Sequence, residues 1–170
     1  MNGFREIDVK ELQDNVIKLI GSDWMLITAG DQEKQNTMTA SWGGLGYVWN
    51  YPVAYVVIRP QRYTYEFTER EERMTLSFFE EEWRKALAYC GSHSGRDEDK
   101  FAEAGISVAF TESGTPAIAE ARLVVEGKKI YVDMLKEEGF LDKEIVEKWY
   151  PASDYHRVYM IKIEHVYIKD

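Results

Sequence analysis

The sequence predicts a mainly β fold with added helices, of the α+β class, in which the strands form an antiparallel barrel. Segments of strand character outnumber helical segments, and several strands follow one another through short turns. Short turns connect antiparallel strands, whereas the parallel strands of a doubly wound sheet need long crossover connections. The length of 170 residues suits one domain, so we expect residues 1–170 to form a single unit.

The first third of the chain is predicted to contain one helix and three strands. Asp8 is suited to cap a helix that runs to Ile20, because apolar residues then share one helix face. Gly21 is suited to end that helix. The glycine-rich segment 43–46 allows a bend, a bulge or the close approach of a ligand. The strands are predicted at 24–30, 37–42 and 53–58.

The rest of the chain is predicted to mix short helices with strands. Pro60 ends the strand before it, because proline has no amide hydrogen to donate. Thr64 is suited to cap a helix that runs to about Glu71, and Asp97 is suited to cap one that ends at Gly105. The other helices are predicted at 81–90 and 142–149, and the other strands at 74–79, 106–110, 121–127, 129–135 and 156–168.

The formal net charge of −9 argues against polyanionic binding partners. We expect no nucleic-acid partner, because a phosphate backbone is recognised by a basic surface. An anionic membrane surface is disfavoured for the same reason. Residues 1–10 lack the apolar core of a signal peptide, and no segment approaches the roughly 20 apolar residues of a membrane span. We therefore expect a soluble, cytoplasmic protein.

The sequence contains few residues suited to act as metal ligands or catalytic nucleophiles. Cys90 is the single cysteine, so no internal disulfide is expected. The three histidines are scattered without the spacing of metal ligands, so no metal site is expected. No hydrolase nucleophile motif is present, so any catalysis is expected to come from a cofactor. The 7 Phe, 11 Tyr and 5 Trp residues suit a core, a dimer interface or stacking on a planar ligand.

The strand at 37–42 contains the first candidate site. Its residues alternate, with Thr37, Thr39 and Ser41 on one face and apolar side chains on the other. Hydroxyls spaced about 7 Å apart along a strand face can bind a phosphate or the polar edge of a ring. The alternative interpretation is a solvated strand face that is rich in threonine.

The turn after the strand at 53–58 contains the second candidate site. Arg59 and Arg62 flank a rigid proline, and Thr64 stands at the start of a predicted helix. A helix N-terminus favours an anion through its free amides and dipole, and guanidinium groups add planar donors suited to phosphate. Alternatively, these are surface arginines paired with carboxylates. Two neighbouring sites that suit one anionic ligand favour a functional role.

The segment 92–101 and His156 are further candidates. Lys100 lies in the first turn of a predicted helix, where a positive charge opposes the helix dipole and can be placed for a ligand. A solvated lysine paired with Asp97 or Glu103 is the better explanation on physical grounds alone. His156, at the start of the last strand, can face a pocket or lie on the surface.

These segments together resemble the flavin reductase-like family, especially its flavoredoxin-like branch. The resemblance extends from Trp24 to Ile168, and its specificity comes from the order and spacing of three pieces, Asn36–Trp42, Arg59–Thr64 and Ser94–Phe101. It implies a split β-barrel, a homodimer, and FMN bound near the dimer interface.

The resemblance also implies roles for particular residues. In the family the first piece lies along the flavin ring and ribityl chain, the second holds the phosphate end, and the third closes over the cofactor. His156 corresponds to a histidine that often faces the nicotinamide in NADH-using members, so it is the candidate catalytic residue. The family commonly has a glycine where this chain has Ile161, which counts against a nicotinamide donor. The implied cofactor-binding residues are Met38, Thr39, Ala40, Ser41, Arg59, Gln61, Arg62, Tyr63, Thr64, Ser94 and Lys100.

Three functions remain open at this point. The first is an FMN-binding oxidoreductase that reduces its flavin with NADH or NADPH. The second is an FMN-binding electron carrier, like flavoredoxin, that is served by a separate reductase. The third is a module on the same barrel that binds another phosphorylated ligand.

Overall fold

The structure, a computed structural model, describes all residues from Met1 to Asp170. The predicted mainly β fold with added helices is confirmed. No helix is long and apolar enough to cross a membrane. The strands are β1 (Phe4–Ile7), β2 (Met25–Gly30), β3 (Gln35–Ala40), β4 (Gly43–Val48), β5 (Tyr51–Ile58), β6 (Arg73–Phe78), β7 (Val108–Phe110), β8 (Pro116–Ile118), β9 (Leu123–Met134) and β10 (Arg157–Lys169). The α-helices are α1 (Val16–Gly21), α2 (Tyr63–Arg70), α3 (Arg84–Ser92), α4 (Lys100–Ala104) and α5 (Lys143–Trp149).

Eight strands form one antiparallel sheet in the order β3-β2-β6-β9-β10-β5-β4, with β1 also paired to β10. The long strand β10 divides the sheet, because its residues 157–162 pair with β5 and its residues 166–169 pair with β1. The edge strands β3 and β4 do not pair with each other, so the sheet curls without closing. This arrangement is a split barrel. Strands β7 and β8 form a separate two-stranded ladder.

The sheet separates two apolar cores. Along β2, Met25 and Ile27 face the first core, inside the curl, where α1 and α2 cover it. Leu26 points to the opposite side, into a second core formed with α3 and the β7–β8 ladder. This opposite placement follows from the two-residue period of a strand, and a strand buried on both faces reads as a continuous apolar run.

The predicted helix over 8–20 is two separate elements. Asp8 caps a single 3-10 turn over Val9–Glu11, because its carboxylate accepts from the amide of Lys10 at 2.8 Å. Asn15 then starts α1, and its side-chain oxygen accepts from two first-turn amides at 3.1 Å. An asparagine that bonds to its own chain in this way favours a new helix start over a helix interior.

Two predicted helix caps are also wrong. Thr64 lies inside α2, whose N-cap is Arg62, and its hydroxyl accepts instead from the side-chain amide of Asn36 at 2.8 Å. Asp99 caps α4 in place of Asp97, with its carboxylate accepting from two amides at 3.0 and 3.2 Å. The predicted stop at Gly105 is confirmed, since this residue has a φ of 68°.

The strand predictions differ from the structure at glycines. Gly127 joins the strands predicted at 121–127 and 129–135 into one strand, β9, because a Cβ there would lie 2.7 Å from the Lys162 carbonyl of β10. The glycine-rich segment 43–46 is the strand β4 rather than a bend. Strands β1 and β8, which are four and three residues long, were not predicted from the sequence.

Candidate functional site

The main candidate site is a cavity of about 270 Å³ where the end of β3 meets the turn after β5 and the end of α5. The first candidate strand supplies one wall, and the two arginines of the second candidate segment and His156 supply the others. Its lining residues are Met38, Thr39, Ala40, Ser41, Trp42, Val57, Arg59, Arg62, Trp149 and His156.

A smaller recess of about 140 Å³ lies between the start of α2 and the end of α3. Arg62 lines both the recess and the main cavity, so the two spaces adjoin at its side chain. His156 and every cofactor-binding residue that the resemblance implied line one of these two spaces, and Ser41 and Arg62 line the same one, whereas the candidate Thr37 lines neither. The recess is lined by Gln61, Arg62, Tyr63, Thr64, Gly91, Ser92, His93, Ser94 and Lys100.

Two cations meet at the recess without an acidic partner. Arg62 donates to the carbonyls of Gly91 and Cys90 at 2.9 and 3.4 Å, and Lys100 donates to the Cys90 carbonyl at 3.0 Å. These carbonyls belong to the last turn of α3, the negative end of the helix dipole. Lys100 is only 3% exposed, and burial lowers its pKa to about 8. Burial also lowers the pKa of Arg62. A site so arranged attracts an anion.

The start of α2 adds donors to the same recess. Its N-cap, Arg62, makes no side-chain capping bond, so the amides of the first turn remain open to a ligand. Arg96 closes over this turn, because its guanidinium lies 4.7 Å from the Tyr63 ring centroid and donates to the Gln61 carbonyl at 3.2 Å. Gly95 permits this closure, since a Cβ there would overlap the side-chain oxygen of Asn36.

The predicted row of three outward hydroxyls is only partly correct. Thr37 is fully buried, and its hydroxyl donates to the Ile27 carbonyl at 3.2 Å inside the sheet. The hydroxyl of Thr39 donates to the Leu87 carbonyl of α3. The alternation along the strand is as predicted, but carbonyls of the protein accept from both hydroxyls, a β2 carbonyl for Thr37 and an α3 carbonyl for Thr39. Ser41, which follows β3, lines the cavity.

Arg59 and Gln61 bind the segment after α5. Arg59 forms a salt bridge with Asp154 and donates to the Trp149 carbonyl at 2.7 Å. Gln61 donates to the same carboxylate at 2.7 Å. The hydrogen bond from Gln61 and, to a lesser extent, the one from Arg59 hold the pKa of Asp154 below its usual value. Arg59 is therefore already neutralised, whereas Arg62 is not.

An aromatic wall closes the other end of the main cavity. The ring of Trp42 lies 5.0 Å from that of Trp149, edge to face, and 5.2 Å from that of His156. His156 is 7% exposed, and burial, aided by the charge of Arg59, lowers its pKa to about 4. The imidazole is therefore neutral at pH 7. A wall of aromatic rings without charge suits a flat, largely apolar ligand.

Several lining residues were not named from the sequence as site residues. Trp42 was assigned to the apolar strand face opposite Ser41, and Trp149 to the end of a predicted helix. Ser92 and His93 belong to the candidate segment 92–101 but were not among the implied cofactor-binding residues, and both line the recess beside Ser94. The abundance of aromatic residues was the only signal for the tryptophans, because their contact joins distant parts of the chain.

Comparison with solved structures shows the same fold in three proteins that share 15–20% identity with the chain. The FMN-binding domain of a flavin reductases-like enzyme from Shewanella baltica aligns with a TM-score of 0.71 and 15% identity, covering 98% of this chain and 77% of that chain. Flavoredoxin of Desulfovibrio vulgaris aligns with a TM-score of 0.69 and 20% identity, covering 96% and 78%. An NADH:FAD oxidoreductase from Streptomyces globisporus aligns with a TM-score of 0.64 and 16% identity, covering 85% and 73%.

Sequence comparison supplies the family assignment. No curated protein matches the chain. The family model described as the flavin reductase like domain matches residues 18–170, which is most of the chain and includes every residue of the two cavities. This protein therefore belongs to the flavin reductase-like family.

Proposed function

We propose that this protein is an FMN-binding oxidoreductase that passes electrons from NADH or NADPH through its bound flavin. The observation that carries the proposal is a pair of cations without an acidic partner, the partly buried Arg62 and the buried Lys100, beside a cavity with an uncharged aromatic wall. One molecule with a phosphate at one end and a planar ring system at the other satisfies both features.

The recess fits the phosphate of FMN chemically. Arg62 offers a planar fork of donors and Lys100 a point charge, and both are held by neutral carbonyls that do not cancel their charge. The open amides at the start of α2 add hydrogen bonds and a favourable dipole. The loop at Gly95 and Arg96 covers this turn, which suits a terminal phosphate better than the longer diphosphate chain of FAD.

The main cavity fits the ring and ribityl portions. Met38 and Ala40 supply apolar contact, and Ser41 supplies a hydroxyl, along one wall of the cavity. Trp42, Trp149 and His156 offer an aromatic surface at the other end of the cavity. When bound, the flavin supplies hydride acceptance and electron release, which no side chain here can provide. The residues of the chain bind the flavin and orient it.

A carrier without its own nicotinamide-dependent activity is the alternative function. The chain has the fold of flavoredoxin as well as that of an NADH:FAD oxidoreductase. The departure at Ile161 does not decide between the two functions, because this side chain is fully buried in the first core and does not line the cavity. The neutral imidazole of His156 beside the aromatic wall favours the reductase, since it offers a hydrogen-bonding group to a second planar ligand.

A second copy of the chain is proposed to pack against the hairpin of β4 and β5. This face exposes large aromatic side chains, among them Tyr47 at 66% and Trp49 at 57%. Trp49 and Asn50 form the tight two-residue turn of this hairpin, with φ values of 52° and 60°. Contiguous exposed apolar surface of this kind is typical of a protein interface.

The first experiment is an absorbance spectrum of the purified protein, followed by calorimetric titration with FMN and a steady-state assay of NADH and NADPH oxidation. Flavin bands or tight FMN binding support the cofactor assignment. Flavin binding without turnover of either nucleotide identifies the carrier. A colourless protein that does not bind FMN overturns both functions and leaves the third, a module for another phosphorylated ligand.

A substitution at Arg62 tests the phosphate end of the site. Arg62→Ala is expected to weaken FMN binding by about 1.5–3 kcal/mol, the usual contribution of a hydrogen bond to a charged group. The matched control is Arg70→Ala at the opposite end of α2, where the arginine is exposed and paired with Glu71. Equal FMN affinity of wild type and Arg62→Ala, measured by calorimetry, would remove Arg62 from the site.

A further inference from the structure

Tyr150 lies directly behind His156 and does not line the cavity itself. Its hydroxyl is 2.8 Å from Nδ1 of the imidazole, and the two rings meet edge to face with centroids 5.5 Å apart. Tyr150 is 5% exposed and His156 is 7% exposed. The pair is thus a buried hydrogen bond between two neutral groups, since burial raises the pKa of Tyr150 and lowers that of His156.

The direction of this hydrogen bond follows from the donors and acceptors available to the two groups. His156 Nδ1 is the single protein partner of the Tyr150 hydroxyl, so Nδ1 is the only protein atom that can accept the hydroxyl proton. A hydroxyl that accepted from Nδ1 instead would leave its own proton without a protein acceptor in a buried place. When Tyr150 donates, Nδ1 carries no proton. A neutral imidazole then carries its proton on Nε2.

The Nε2 atom is the part of the imidazole that reaches the cavity. It makes no hydrogen bond within the protein, yet it is not among the buried polar atoms that lack a partner, so it is accessible. His156 lines the cavity beside Trp42. An unpaired N–H at this position is available to a ligand.

No charged group hydrogen-bonds to the imidazole, although Arg59 lowers its pKa and Asp154 raises it through their charges. The Arg59 guanidinium lies over the Tyr150 ring, 5.4 Å from its centroid, and forms a salt bridge with the Asp154 carboxylate. The rings of Phe140 and Tyr155 pack against Tyr150 at centroid distances of 5.5 and 5.0 Å and hold it in place. Tyr150 is therefore the one protein group that hydrogen-bonds to the His156 ring and can select its tautomer.

We propose that Tyr150 is a positioning residue: it fixes His156 as the Nε2–H tautomer and presents that N–H to the cavity as a donor for a carbonyl or carboxamide oxygen. The identity of the acceptor rests on the proposed function, because a nicotinamide nucleotide carries a carboxamide. The tautomer does not rest on it, since Tyr150 and His156 are in contact without any ligand.

The test is nitrogen NMR of the His156 ring in the full-length protein without cofactor, between pH 6 and 8. We expect a single Nε2–H imidazole in the wild type and a mixture of both tautomers in Tyr150→Phe. The matched control is Tyr155→Phe, which loses a hydroxyl that bonds to Glu137 at 3.0 Å and should keep the wild-type signal. An Nδ1–H imidazole in the wild type, or an unchanged signal in Tyr150→Phe, overturns the proposal.

A kinetic readout separates this proposal from the proposed function. Where the wild type oxidises NADH, Tyr150→Phe should reduce kcat/KM for NADH by about fivefold, the value of one neutral hydrogen bond. A wild type that binds no FMN refutes the proposed function while the tautomer measurement still decides the role of Tyr150. If Tyr150→Phe does not fold, the wild-type tautomer by itself supports or overturns the proposal.

Discussion

Lys100 gives the sharpest test of the phosphate recess, because its charge is nearly fully buried and bonded to one neutral carbonyl. Lys100→Met keeps most of the side-chain volume and removes the charge. A charged hydrogen bond contributes about 1.5–3 kcal/mol, so the affinity for FMN should fall by roughly 10- to 150-fold. Riboflavin, which lacks the phosphate, should bind the wild type and the variant equally well. The ratio of the two affinities therefore isolates the phosphate contact.

The pH dependence of binding provides an independent check on the same group. Burial lowers the pKa of Lys100 to about 8, and a lysine is charged below its pKa. FMN affinity of the wild type should therefore decrease as pH rises from 7 to 9, and this decrease should vanish in Lys100→Met. Cys90 does not share this window, since burial raises the pKa of its thiol above the ordinary value.

The matched control for this substitution is Lys129→Met. Lys129 also has a pKa lowered by burial, and it also donates to helix C-terminal carbonyls, those of Thr68 and Glu69 at 2.6 and 3.1 Å. It lies outside both cavities, so its replacement should leave FMN affinity unchanged. Unchanged FMN affinity in Lys100→Met, or an equal loss in both variants, refutes the assignment of Lys100 to the phosphate.

Three further predictions concern other parts of the molecule. Glu126 is fully buried and accepts hydrogen bonds from Thr111 and Thr115 at 3.0 and 2.5 Å. Glu126→Leu leaves both hydroxyls without this acceptor, so it should reduce the free energy of unfolding, measured in urea, by about 2–4 kcal/mol. Glu126→Gln retains an acceptor, so its free energy of unfolding should fall by less. Gly95→Ala should weaken FMN binding measured by calorimetry, because the new methyl group overlaps Asn36 and displaces the loop; unchanged affinity would show that the loop does not touch the cofactor. Trp49→Ser should shift the protein to a monomer in sedimentation, and a monomeric wild type would contradict the proposed interface.

The sequence predicted the barrel class because its strand signals are local. Alternation and apolar runs located the central strands, and Pro60 marked the end of β5 correctly. Helix starts were less predictable because several residues nearby could cap. Asp97 and Asp99 both stand before the helix with the same side chain, and the packing of Phe101 against the second core favours the later start.

The segments that form the two cavities could be named from the sequence, but their contacts could not. The resemblance to a family linked the three segments, and the cofactor-binding residues that it implied line the two cavities. Whether a strand face contacts a ligand, solvent or another part of the protein depends on which element packs on it. Helix α3 lies too far along the chain from β3 for a local sequence pattern to reveal that the two pack together. Thr37 and Thr39 were therefore expected to face a ligand, whereas they donate to carbonyls of the protein.

Arg59 and Arg62 show why charge pairing, and not residue type, identifies an anion site. Both arginines stand in one short turn and are equivalent in the sequence. The chain has 30 acidic and 21 basic residues, so a carboxylate is available to most cations, and Arg59 takes Asp154. Arg62 and Lys100 instead share the carbonyls at the end of α3, where burial opposes their charge. Arg62 and Lys100 both donate to the Cys90 carbonyl, so their like charges repel each other, and an anion bound between them relieves that repulsion. In the proposed function the phosphate of FMN is this anion, so removing either cation should weaken FMN binding without weakening riboflavin binding.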